Sequence, residues 1–119
     1  MSKTPEKISL YHNPRCSKSR AALALLREHG VEPDIIEYLQ TPPTAAQLKA
    51  LLKKLGLKAV EVVRKGEDEY QRYAKKDLTE TDWIDAIAEH PILLERPIVV
   101  RGDRAVIGRP PEAVLKLLD

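Results

Sequence analysis

The segment KISLYHNPRCSKSRAALALLREHGVEPDIIEY, residues 7–38, constrains the fold more than any other part of the chain. KISLYH alternates polar and apolar residues, with Ile8 and Leu10 on one face, which is the period of a strand. Asn13-Pro14 breaks it. From Ser17 to His29 the apolar positions Ala21, Leu23, Ala24, Leu25 and Leu26 suit a helix, and Gly30 is a good residue just past its end. DIIEY, Asp34 to Tyr38, reads as a second strand. A strand, a helix and a strand in this order form a unit whose first strand-to-helix turn is where α/β folds hold ligands.

The remainder extends this frame. Thr44 and Gln47 offer a capping box, and Leu48, Leu51, Leu52 and Leu55 form one apolar face ending at Gly56. AVEVVRK reads as a short helical stretch leading to Gly66 and the polar run EDEYQRYAKKD. Thr79 with Asp82 opens TDWIDAIAEH, where Trp83, Ile84 and Ile87 share a face before His90-Pro91 stops it. IVVRGDRAVIG reads as a hairpin about Gly102-Asp103, and Pro110-Pro111 starts a last helix, EAVLKLLD. The order is β-α-β, an all-helical middle, then β-β-α. A mixed α/β sheet with helices on both faces accounts for it. With 119 residues, no repeat and no long linker, one domain over 1–119 is expected, with a helical insertion at about 44–90.

Charge narrows the function classes. Twenty basic residues against 18 acidic ones leave a net charge of +2, too little to argue for nucleic acid or an anionic membrane. No apolar run approaches the length of a membrane span, and MSKTPEKISL lacks the apolar stretch of a secretory signal, so the cytoplasm is the expected location. A monomer is expected. The single cysteine, Cys16, can form neither an internal disulfide nor a multi-cysteine zinc framework, so neither a metal nor a bound cofactor is expected. If Cys16 acts, it acts as a lone thiol in a reducing compartment.

Cys16 stands at the first strand-to-helix turn, among Arg15, Lys18 and Arg20. A helix N-terminus and neighbouring cations both favour a thiolate, and the thiolate is the nucleophile. His12, four residues upstream across the Asn13-Pro14 turn, is placed to fold back beside the sulfur. The first N–H groups of the helix lack intrahelical acceptors, and the Ser17 and Ser19 hydroxyls are nearby, so the turn combines a nucleophile with a cradle for a small oxyanion. The competing interpretation is an inert, buried cysteine with His12 merely tying down the loop. Spacing alone leaves the two nearly balanced. Cys16-Ser17-Lys18-Ser19 also lacks a second thiol, so any disulfide chemistry must finish with an external one.

YHNPRCSKSR, EYLQTPPT, VVRKGE, HPILLERPIVV and VIGRPPE occur in the order seen in glutaredoxin-coupled arsenate reductases, and the chain resembles that family over almost its whole length. The resemblance implies a thioredoxin-like fold with a helical insertion. It implies that Cys16 attacks arsenate, that His12 tunes the thiol, and that glutathione then forms a mixed disulfide which glutaredoxin reduces. It further implies that Arg64, Arg96 and Arg109 bind the oxyanion and that Pro97 is the cis-proline opposite the thiol. Two alternatives remain open beside arsenate reduction. One is a glutathione-dependent thiol reductase that does not use arsenate. The other is a regulator similar to the Spx type, which contacts RNA polymerase.

Overall fold

The computed structural model describes residues 7–74 and 76–118. The polar N-terminal start, Lys75 of the polar run and Asp119 of the expected last helix lie outside the described residues. The chain divides into two compact units: the residues up to Glu37 together with those from Arg96 onward, and Tyr38–Glu95.

The first unit is built on a four-stranded mixed sheet of thioredoxin-like type. Strand β1 (Ile8–Tyr11) leads into helix α1 (Ser17–Glu28) and then β2 (Asp34–Ile36), which runs parallel to β1. Strands β3 (Ile98–Arg101) and β4 (Arg104–Ile107) form a hairpin, and β3 lies antiparallel to β1, giving the order β2-β1-β3-β4. Gly102 takes a φ of +60° in the connecting turn, a region that favours glycine. Leu10, Ala22, Leu26, Val99, Val114 and Leu117 form one buried cluster, so α1 and the C-terminal segment pack with the two central strands. Each large side chain buried there contributes about 1.5–3 kcal/mol.

Register decides what meets at one end of this sheet. Tyr11 pairs with Ile36 of β2 and with Ile98 of β3, and Ile98 pairs with Ile107 of β4. The loop after β1, Glu37, Arg96-Pro97 and Gly108-Arg109 therefore all leave the sheet at the same end. Two elements differ from the sequence expectation. Strand β2 stops at Ile36 rather than Tyr38; it is an edge strand with one neighbour, and Ile35 is 41% exposed. The last helix is a 3-10 helix, Pro111–Leu117. Its three-residue period stacks Val114 and Leu117 on one side, and both are buried.

The second unit is helical: α2 (Ala45–Leu55) and α3 (Glu80–Glu89), with 3-10 turns at Ala59–Val62, Asp68–Arg72 and Pro91–Leu93. Both expected capping boxes are present. Thr44 accepts from the Gln47 N–H while Gln47 accepts from the Thr44 N–H, and Thr79 and Asp82 do the same. Leu48, Leu51 and Leu52 of α2 are buried, as are Trp83, Ile84 and Ile87 of α3. The helical reading of AVEVVRK holds only to Val62. Val63 bridges Leu94, with the Arg64 N–H on the Leu93 carbonyl at 2.7 Å and the Glu95 N–H on the Val62 carbonyl at 2.8 Å. That pairing needs extended backbone, which ends the turn. Among the described residues no helix is long and apolar enough to cross a membrane.

Candidate active site

The loop between β1 and α1 is a four-residue turn. The Cys16 N–H donates to the Asn13 carbonyl at 2.9 Å, Pro14 occupies the second position, and Asn13 Oδ1 accepts the Arg15 N–H at 3.0 Å. No non-glycine residue among those described has a positive φ, which rules out a type II turn at Arg15. The turn delivers Cys16 to the N-cap of α1 with φ −91° and ψ 122°, where its carbonyl accepts the first helical bond, from the Arg20 N–H. Arg20 also curls back, its Nη1 donating to the Pro14 carbonyl at 2.9 Å.

This helix start is open. Cys16 makes no side-chain capping bond, and no acid stands in the first turn. None of the hydrogen bonds among the described residues uses the N–H of Ser17, Lys18 or Ser19. Three free donors at the positive end of a helix favour an anion beside the half-buried Cys16 sulfur.

His12 is 6% exposed, and its ring bond runs to Ser19, with Nδ1 2.7 Å from Oγ. Its own N–H donates to the Ile36 carbonyl at 2.9 Å, holding the residue in line with β1. Burial pushes the imidazole below its ordinary value of 6.5; Glu37 opposes that shift, and Arg20 and Arg27 add to it. Burial and the two guanidiniums thus favour the neutral ring. Ser19 departs from the role expected of it as an oxyanion contact. It is fully buried, and its hydroxyl bonds His12 and accepts the Asn13 N–H at 3.1 Å. Ser17 is exposed in the first turn of α1.

Arg96 and Arg109 belong to the same unit as Cys16 and the same end of the sheet. The Arg96–Pro97 and Arg109–Pro110 peptide bonds are both cis. Arg109 Nε donates to the Arg96 carbonyl at 2.8 Å, tying the two segments together. Arg96 Nε and Nη1 are buried with no hydrogen-bond partner among the described residues. Buried cationic donors left unpaired are costly, and an anion relieves that cost. Gly108 is required by close packing: a Cβ there would lie 2.8 Å from Pro97 Cγ and 3.0 Å from Val114 Cγ1. Nothing in the sequence pattern singled it out, because the contact joins residues far apart in the chain.

Arg64 lies in the other unit, Tyr38–Glu95. Its Nε is 3.3 Å from Glu95 Oε1 and its Nη1 4.0 Å from Glu67 Oε2. The sheet unit thus gathers His12, Cys16, Ser17, Ser19, Arg96, Pro97 and Arg109, and Arg64 stands outside it, already facing two carboxylates.

The comparisons with known proteins agree with this architecture. The sequence pattern of the ArsC family matches residues 11–117. The chain is 49% identical over 116 residues to the protein named Uncharacterized protein YfgD of Escherichia coli K12, covering 95% of this chain and 98% of that one. It is 45% identical over 114 residues to an arsenate reductase of Haemophilus influenzae, covering 93% and 98%. The solved structure of an arsenate reductase from Vibrio cholerae superposes with a TM-score of 0.90 at 43% identity, covering 95% of this chain and 98% of that one.

Proposed function

The chain belongs to the ArsC family, and we propose that it is an oxidoreductase that reduces arsenate to arsenite through Cys16, with glutathione as second thiol and glutaredoxin as recycling reductant. One observation carries this reading. The sheet end that bears the only thiol also bears an uncapped helix start and an arginine with two buried, unpaired nitrogens. Such donors suit a tetrahedral oxyanion, and guanidinium stays charged at every working pH.

The Cys16 sulfur attacks arsenic, and one arsenate oxygen leaves as water after taking protons. The product is a thiol-bound arsenate ester. The glutathione thiolate then attacks the Cys16 sulfur, forming the S–S bond as the S–As bond breaks. The electron pair of that bond stays on arsenic, which leaves as arsenite. Overall, arsenate and two thiols give arsenite, a mixed disulfide and water. A third thiol, from glutaredoxin, reduces the mixed disulfide, because these 119 residues hold no second cysteine.

Within this scheme the free N–H groups of Ser17 and Lys18, together with Arg96 and Arg109, hold the oxyanion and stabilise charge as the oxygen departs. Arg64, which the family resemblance adds to the oxyanion set, belongs to the Tyr38–Glu95 unit, where its guanidinium lies by Glu95 and Glu67. A coupled assay with arsenate, glutathione, glutaredoxin and NADPH tests the reading. Arsenate-dependent NADPH loss is the expected result. Loss of NADPH with a small disulfide but none with arsenate would leave a general thiol reductase instead.

A further inference from the structure

Ser19 is fully buried at the start of α1, and no step proposed for Cys16 uses its hydroxyl. Its hydroxyl has one proton and two lone pairs. The Asn13 N–H, 3.1 Å away, occupies one lone pair. The other neighbour is His12 Nδ1 at 2.7 Å, and two proton arrangements are open across that contact. If Nδ1 carried the proton, it would donate to Oγ, and the hydroxyl proton would be left in a fully buried position with no acceptor among the described hydrogen bonds. If Oγ–H donates to Nδ1, the Ser19 hydroxyl and Nδ1 are both satisfied. Burial of the ring, together with Arg20 and Arg27, disfavours the doubly protonated alternative, and Glu37 alone opposes them.

We infer that Ser19 is a positioning residue: its hydroxyl donates to His12 Nδ1 while accepting the Asn13 N–H, so it holds His12 as the neutral tautomer protonated at Nε2 and anchors the nucleophile loop to the first turn of α1. The consequence is directional. Nδ1 is engaged as an acceptor and takes no proton from the thiol, whereas Nε2–H, which has no protein partner among the described residues, remains a donor toward a thiolate or an oxyanion. Ser19 also couples the strand end to the helix, since residues 12 and 13 on one side and 19 on the other share one oxygen. The inference rests on the proposed nucleophilic role of Cys16 for its effect on turnover, but the tautomer itself is measured without any substrate.

Proton–nitrogen correlation NMR of the histidine rings in the substrate-free protein near pH 7 tests it. His12 is expected to show an unprotonated Nδ1 and a protonated Nε2. A protonated Nδ1 in the native protein would overturn the inference, whether or not arsenate is reduced. In Ser19→Ala the ring loses its fixed partner, so the Nδ1-protonated form should rise to a measurable share. Alkylation of Cys16 by iodoacetamide at the same pH should slow by about fivefold, the worth of one hydrogen bond. An unchanged tautomer and an unchanged alkylation rate in a folded Ser19→Ala protein would also overturn it. Because the native protein alone decides the first readout, a variant that fails to fold does not rescue the idea.

Discussion

Helices α2 and α3 of the Tyr38–Glu95 unit begin with Thr44 and Thr79, each closed by a reciprocal capping box, whereas α1 of the sheet unit begins with Cys16 and is left open. The three starts share the same backbone geometry, an extended N-cap residue followed by helix. They differ at the N-cap, threonine against cysteine, and at the third helical position, Gln47 or Asp82 against Ser19. A threonine oxygen accepts an N–H, and a sulfur does so only weakly. The two closed starts satisfy their own first N–H groups. The open one leaves donors and a thiol side by side, at some cost in stability. The arginines differ in degree. Arg64 in the helical unit has Nε 3.3 Å from Glu95 Oε1 and one buried nitrogen, Nη1, without a hydrogen bond, while Arg96 beside the sheet has two such nitrogens and no ion pair among the described residues.

The largest effect is expected of Cys16→Ser. Serine is a good N-cap, so closing α1 should remove arsenate-dependent turnover entirely while raising stability by up to about 1 kcal/mol, read from a denaturant midpoint. A serine variant that turns over, or one that is less stable, would show that the open start has nothing to do with the thiol. Next comes Arg96→Ala. It should lower kcat/KM for arsenate by about a hundredfold, the usual loss for one preorganised donor to a developing oxyanion. Arg20→Ala, whose side chain serves the Pro14 carbonyl, should stay within about threefold. Equal losses would mean that the unpaired nitrogens of Arg96 do not mark the oxyanion site.

A smaller effect tests the closed side. Thr44→Ala and Thr79→Ala should each cost about 1 kcal/mol of stability, by thermal or urea unfolding, without altering kcat in the folded fraction. The smallest effect concerns His12. Its folded pKa is held below 6.5, so the unfolded chain takes up a proton first as pH falls. Stability is therefore complete above about pH 6.5 and declines as pH drops from there toward the folded value. His12→Gln should flatten that part of the profile, and an equally steep profile would assign the acid sensitivity to other groups.

Much of this was legible in the chain because it depends on neighbours. Thr44 with Gln47 and Thr79 with Asp82 lie three residues apart, and a capping box needs nothing further away. The Asn13-Pro14 turn closes within four residues. The lone thiol at a strand-to-helix turn is equally plain. The burial of Ser19 is not legible in the same way: its place in the first turn of a helix is a local fact, but whether it faces solvent or the sheet is not. The seven-residue spacing to His12 closes only when α1 packs on β1.

The order of strands and helices, the two capped helices and the single sulfur at the head of α1 thus follow from short-range patterns in the amino acids, since turns, caps and amphipathic faces are settled within a few residues. Which cations share that sulfur's end of the molecule does not follow from any local pattern. It took the pairing of Tyr11 with Ile98, and of Ile98 with Ile107, to bring Arg96 and Arg109 there. Strand register is a long-range choice, made by the burial of Leu10 and Val99 in a common core, and no run of neighbouring residues encodes it.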